Sequence, residues 1–186
     1  MGQIKYLSAD QNLQRLAFTN TLTMANPMGE YATWLLTGTA TIIGAILVNI
    51  ENVSKILSIS ALHWGLTFLV GSMLVCVFVK QFGISIATGV STMDTMYSEM
   101  QTPAGQEMLQ KLTLNTEDFK EAMSSAFLWP ISIIVKKTCE KSTIDFLAGE
   151  KRLIKLLCVQ IYLIWAQVIF GMIGLLILAF GIGNNI

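Results

Sequence analysis

Charge is what this sequence has least of. Only 13% of its residues are Asp, Glu, Lys or Arg, about half the share found in ordinary soluble domains. The shortfall is uneven. Long blocks carry no charge, and the charged residues gather between them, as expected of a chain whose solvent changes from water to lipid along its length. Acidic and basic residues balance, so the net charge is +0. No run of Lys and Arg forms the basic face that nucleic acid requires.

Cysteine, histidine and proline are also scarce. Cys76, Cys139 and Cys158 are an odd number without C-x-x-C spacing, which argues against a disulfide framework or a zinc site. Cys76 and Cys158 are expected to act as small apolar packing residues. His63 is the single histidine, read as an interfacial or packed residue beside Trp64. No H-E-x-x-H, G-x-S-x-G, P-loop or EF-hand spacing occurs, so neither an enzyme nor a cofactor or metal site is expected. The apolar blocks hold no ionisable residue at their centres, which weighs against ion-coupled transport. The first such block starts only after about thirty mixed residues, too late for a signal peptide. Tyr6 stands where a myristoylation motif needs Ser or Thr, so no processing or lipidation is expected.

What is present is apolar: 53% of residues are hydrophobic and the mean hydropathy is +0.60. Residues 31–50 form the first block, with Tyr31 and Trp34 at one end in the manner of an aromatic belt. Residues 57–79 form the second, closed by Lys80. The short link between them predicts an antiparallel hairpin. Residues 153–183 form the third, longer than one crossing needs. It is expected to begin in the cytoplasm or interface and to span from Tyr162 to Ile182.

The rest is amphipathic or polar. Residues 9–24 predict an amphipathic helix with Leu13, Leu16, Ala17 and Met24 on one side, packed on the protein's own membrane helices and ended by Asn26-Pro27. Residues 80–121 predict water-facing helix, with Met93, Met96, Tyr97 and Met100 at helical spacing and Thr102-Pro103 as an N-cap followed by Pro at N1. Residues 122–135 are too few to span unaided and contain Pro130, which reads as a re-entrant or interfacial helix. A basic loop follows over 136–155, with Lys136, Lys137, Lys151 and Arg152 as cytosolic anchors.

The fold class is therefore an all-α, polytopic membrane helical bundle with three spanning helices, a fourth crossing at 122–135 being the alternative. Its segments are an N-terminal amphipathic stretch (1–30), a transmembrane hairpin (31–80), a cytosolic helical segment (81–121), an interfacial or re-entrant helix with the basic loop (122–152) and a C-terminal transmembrane helix (153–186). With three spans and a cytoplasmic N-terminus, Lys55 is the one basic residue left outside, which satisfies the positive-inside bias of a bacterial-type inner membrane.

Small residues mark helix contacts: Gly38, Ala40 and Gly44 in the first span, Gly65 and Gly71 in the second, Gly171, Gly174 and Gly181 in the last. Thr37, Thr41, Gln160 and Gln167 supply a possible polar face, and an amide in lipid must turn toward protein or water. Three helices offer each other few neighbours. The expected partners are thus the bilayer, further copies or other membrane subunits, and a cytosolic protein, with no nucleic acid. The leading expectation is a non-enzymatic subunit of a membrane complex. An oligomeric pore-forming or membrane-perturbing effector is the alternative, and a toxin-immunity protein the third.

Overall fold

A computed structural model describes residues 9–111 and 147–183, together with the single positions 121, 125, 133 and 137. Every regular element among them is helical: α1 (Ala9–Leu22), α2 (Ala25–Val48), α3 (Ile50–Ile56), α4 (Ile59–Gln101), α5 (Pro103–Lys111) and α6 (Ala148–Phe180), which runs into a 3-10 turn at Gly181–Gly183. Of the expected re-entrant or interfacial helix at 122–135 only Ser125 and Ile133 are described, both helical and exposed, and the rest lies outside the described residues, as do Lys136 and residues 138–146 of the basic loop. The chain is an all-α bundle, and three of its helical segments are long and apolar enough to cross a membrane.

Helix limits differ from the sequence expectation in ways that local chemistry explains. Pro27 does not end a helix. It sits in the first turn of α2, where its missing N–H has no intrahelical partner to lose. The link between the first two spans contains the short helix α3, with Glu51 in its first turn and Lys55 in its last, as the helix dipole favours. The second apolar block and the helix expected beyond Lys80 form one unbroken element, α4, which continues to Gln101. Thr102 then caps α5 as expected: its Oγ1 accepts from the Gly105 N–H at 3.0 Å. A Cβ at Gly105 would strike the Glu99 carbonyl, so only glycine fits that turn. Ala148 already opens α6, so Lys151, Arg152 and Lys155, expected in a loop, are exposed helical residues, as is Lys137.

The chain divides into two compact units. The apolar unit comprises Thr23–Ala87 and Leu156–Ile186. In it α4 buries Gly65, Leu69, Ser72, Cys76, Val79 and Gly83, alternating steps of four and three residues. The buried positions of α6 there, Leu157, Gln160, Gln167, Gly174 and Leu178, follow the same heptad grid. A 3.5-residue seam is the mark of helices that pack side by side as a left-handed coil. The two run antiparallel: Gly83 meets Gln160, Leu69 meets Gly174, Gly65 meets Leu178 and Ala61 meets Gly181. On α2 the buried residues Ala25, Ala32 and Thr39 are one heptad apart. Ala32 joins Cys76 and Val79 in one apolar cluster. Leu57, Leu69 and Leu178 form another, against Ile42, Ile43 and Ile46 of α2.

The polar unit comprises Met1–Leu22 and Thr88–Lys155. There α4 and α6 approach closely where glycine allows it: Gly89 receives Leu153, and Gly149 receives Met93. Among the described residues Leu22, Leu147 and Leu153 are its buried apolar ones. Helix α1 turns Arg15, Phe18, Thr19 and Leu22 inward. This corrects the expected face, since Leu13 is 67% and Leu16 59% exposed. The reason is that Arg15 finds charged and aromatic partners inside, as described next.

Candidate functional site

Two polar constellations stand out, one in each unit. In the apolar unit the side chains of Gln160 and Gln167 are fully buried. Gln160 Nε2 donates to the backbone carbonyls of Ala25 at 3.1 Å and Val79 at 3.4 Å. Gln167 Nε2 donates to the carbonyl of Ala32 at 3.1 Å. The Ser72 hydroxyl donates to the Gln167 backbone carbonyl at 2.9 Å, and the Cys76 thiol to that of Ala32 at 3.4 Å. Two rungs, one heptad apart, therefore tie α6 to both α2 and α4. Glycine at position 83 makes room for the first, because a Cβ there would lie 3.0 Å from Gln160 Nε2.

Within lipid such bonds have no competition from water, and each contributes about 0.6 to 2 kcal/mol. The rungs are not fully satisfied. Among the described residues neither Gln160 Oε1 nor Gln167 Oε1 has a hydrogen-bond partner, and each such acceptor costs about 1–3 kcal/mol. Turning the amides over would set carbonyl against carbonyl, so the backbone acceptors dictate their orientation.

The four residues of the possible polar face are not brought together. Gln160 and Gln167 point into the protein, whereas Thr37 and Thr41 are exposed. The threonine hydroxyls donate to the carbonyls four residues back, at Thr33 and Thr37, which settles their hydrogen-bonding need inside α2 itself.

The small residues also divide. Gly65, Gly174 and Gly181 are packed so closely that a Cβ would collide with Leu178, Leu69 or Ala61. Gly171 has ordinary contact with Ser72. Around Gly38, Gly44 and Gly71 a Cβ would meet nothing within 4 Å, and Ala40 is exposed. Gly83, Gly89 and Gly149 are contact glycines that the sequence reading missed. Gly83 and Gly89 lie beyond Lys80, where the apolar block ends, and Gly149 lies in the basic stretch.

In the polar unit Arg15 is the hub. Its Nη2 is 3.1 Å from Asp94 Oδ1 and its Nε 3.7 Å from Glu150 Oε1. Its guanidinium lies 3.4 Å from the centre of the Tyr97 ring, a cation–π contact worth about 0.5–2 kcal/mol. The Tyr97 hydroxyl donates to Glu150 Oε1 at 3.3 Å. Asp94 is half exposed, so water screens its share. Glu150 is buried and depends on Arg15 and Tyr97 for compensation. Burial pushes the Tyr97 phenol up to about 12, the Glu150 carboxylate adds to the rise, and Arg15 opposes it.

Of the four residues spaced helically near the end of α4, Met93 and Tyr97 face inward, while Met96 and Met100 are exposed. Cys76 is buried as expected, but Cys158 is exposed. His63 is exposed and meets the Trp64 ring edge-on at 5.7 Å. No group of three or more His, Cys, Asp and Glu side chains is gathered for a metal among the described residues. The two constellations hold helices together.

These features define a class: an α-helical protein with three segments of membrane-crossing length, held by a glutamine ladder in its apolar unit and an arginine hub in its polar one. No protein-family model, curated protein or solved structure matches the chain.

Proposed function

We propose that the protein is a non-enzymatic integral membrane subunit, supplying helices to an assembly of its own copies or of other membrane proteins. In this reading the N-terminus and the polar unit lie on the cytoplasmic side of a bacterial-type inner membrane, and the polar unit docks a cytosolic partner. The supporting observation is a difference between exposed faces. Outward positions of α4 and α6 carry large apolar residues suited to lipid, among them Leu74, Val77, Phe78, Ile169, Met172 and Leu176. The large exposed residues of α2, Tyr31, Trp34, Leu47 and Val48, stand toward its two ends, and the stretch between them is small outward: Thr37, Gly38, Ala40, Thr41 and Ala45 are exposed, and Gly44 is half-buried with nothing within 4 Å of an added Cβ. Lipid gains nothing from a flattened face, whereas another helix approaches it closely and gains dispersion contacts.

The test is Gly44→Leu compared with Val77→Phe, a change on a lipid-type face. Native electrophoresis and in-membrane cross-linking are expected to show the assembly weakened by the first and kept by the second. Unchanged migration of the Gly44→Leu chain would sink the reading.

A further inference from the structure

We propose that the apolar unit holds one phospholipid in a groove between the start of α4 and the end of α6. The groove measures about 550 Å³, within the range of small-molecule sites. Its α6 wall is Ile173, Leu176, Ile177 and Phe180, and its α4 side presents Ser60 and Trp64. Its lining includes large side chains that are already exposed: Phe180 is 79% and Trp64 54% exposed.

The occupant follows from where the groove lies and from what its rim can donate. It flanks two segments of membrane-crossing length, so what surrounds it is hydrocarbon, and an acyl chain is what fills an apolar furrow there. Both helices end at the groove, α4 beginning at Ile59 and α6 stopping at Phe180. That end is where glycerol esters and phosphates meet a spanning helix and where tryptophan concentrates. Three donors stand at this level. The Ser58 oxygen accepts from the Ala61 N–H, which leaves its own O–H to donate. The Ser60 hydroxyl and the Trp64 indole N–H have no hydrogen-bond partner among the described residues. An acyl chain lies along Ile173, Leu176 and Ile177, and its ester carbonyl accepts from Ser60 and Trp64. Acceptance by a carbonyl rather than pairing with an acid suits a groove without a charged wall.

The test is a titration of the purified full chain with dioleoyl phosphatidylcholine, read by native mass spectrometry as lipids retained per chain. The wild type is expected to keep one. Ile177→Trp fills the groove and is expected to lose it. Ser60→Ala removes one donor and is expected to weaken retention roughly fivefold. Leu74→Trp, on exposed α4 surface away from the groove, is expected to match the wild type. Equal retention by all four chains means surrounding lipid only and overturns the proposal, as does a wild type that retains none. Undiminished binding by Ser60→Ala overturns it as well. The inference rests on the spanning reading of α4 and α6, and liposome flotation of the same four chains separates the two: a wild type that fails to float defeats that reading first.

Discussion

At the scale of single residues, Gln167 shows how lipid changes the worth of a polar side chain. Its amide bridges α6 to the Ala32 carbonyl at 3.1 Å, yet its own oxygen lacks a partner among the described residues. Gain and cost are similar in size, so shape decides the outcome of substitution. Gln167→Ala leaves a cavity as well as a lost bond and is expected to destabilise the chain by about 2–4 kcal/mol. Gln167→Met keeps the volume and removes the orphaned acceptor, and is expected to cost under about 1.5 kcal/mol. Denaturation in mixed micelles checks the order, and equal losses would contradict it. Tyr97 offers a residue-scale test in the polar unit. Its phenol is raised above the ordinary value of 10.0 to about 12, so the native state holds that proton longer than the unfolded one. The stability it contributes is full below pH 10 and falls as the pH climbs from 10 toward 12. The phenolate absorbance difference between the wild type and Tyr97→Phe is expected to rise with a midpoint near pH 12; a midpoint at 10 would show that burial and Glu150 do not hold the phenol's proton.

At the scale of elements, glycine decides which helices come close. The α4–α6 contact in the apolar unit is a series of holes filled from the other side, Gly83 by Gln160, Gly174 by Leu69 and Gly65 by Leu178. Gly174→Leu places a side chain against the Gly65 carbonyl and the Leu69 side chain, both 3.0 Å from a Cβ. Backbone cannot yield as a rotamer does, so a loss of more than about 2 kcal/mol is expected. Gly38→Leu, in open space, is expected to leave the stability of the single chain within about 0.5 kcal/mol. Thermal unfolding in detergent distinguishes them. Of the glycines that form this contact, Gly65, Gly174 and Gly181 were legible as small residues in apolar blocks. Gly38, Gly44 and Gly71 looked alike and are open, because small size marks a permitted approach and not a realised one.

At the scale of the whole molecule, the distribution of basic residues carries the proposed orientation. Lys151 and Arg152 are exposed at the start of α6, and the positive-inside bias assigns them to the cytoplasm. A single cysteine introduced at Lys151, in a chain whose native cysteines are replaced, is expected to resist a membrane-impermeant maleimide in intact spheroplasts and to react after lysis. Ready labelling from outside would reverse the orientation and move the docking role of the polar unit to the other side of the membrane.

The sequence by itself determined the helical class, the three apolar segments of spanning length and the cap at Thr102. Each follows from local rules: backbone groups in lipid must bond within their own segment, and the hydrocarbon thickness sets the length. Only the tertiary structure decided which side of each helix faces inward. In water, apolar residues mark the buried face. Here Leu74 and Phe78 face outward while Ser72, Cys76 and Gly83 face inward, since lipid accepts large apolar side chains as readily as a protein core does. The inward face of α1 was hidden for a different reason. Arg15 looks like a solvent-facing charge until Asp94, Tyr97 and Glu150, far away in the chain, converge on it, and a partnered guanidinium then takes the place that Leu13 and Leu16 were expected to fill.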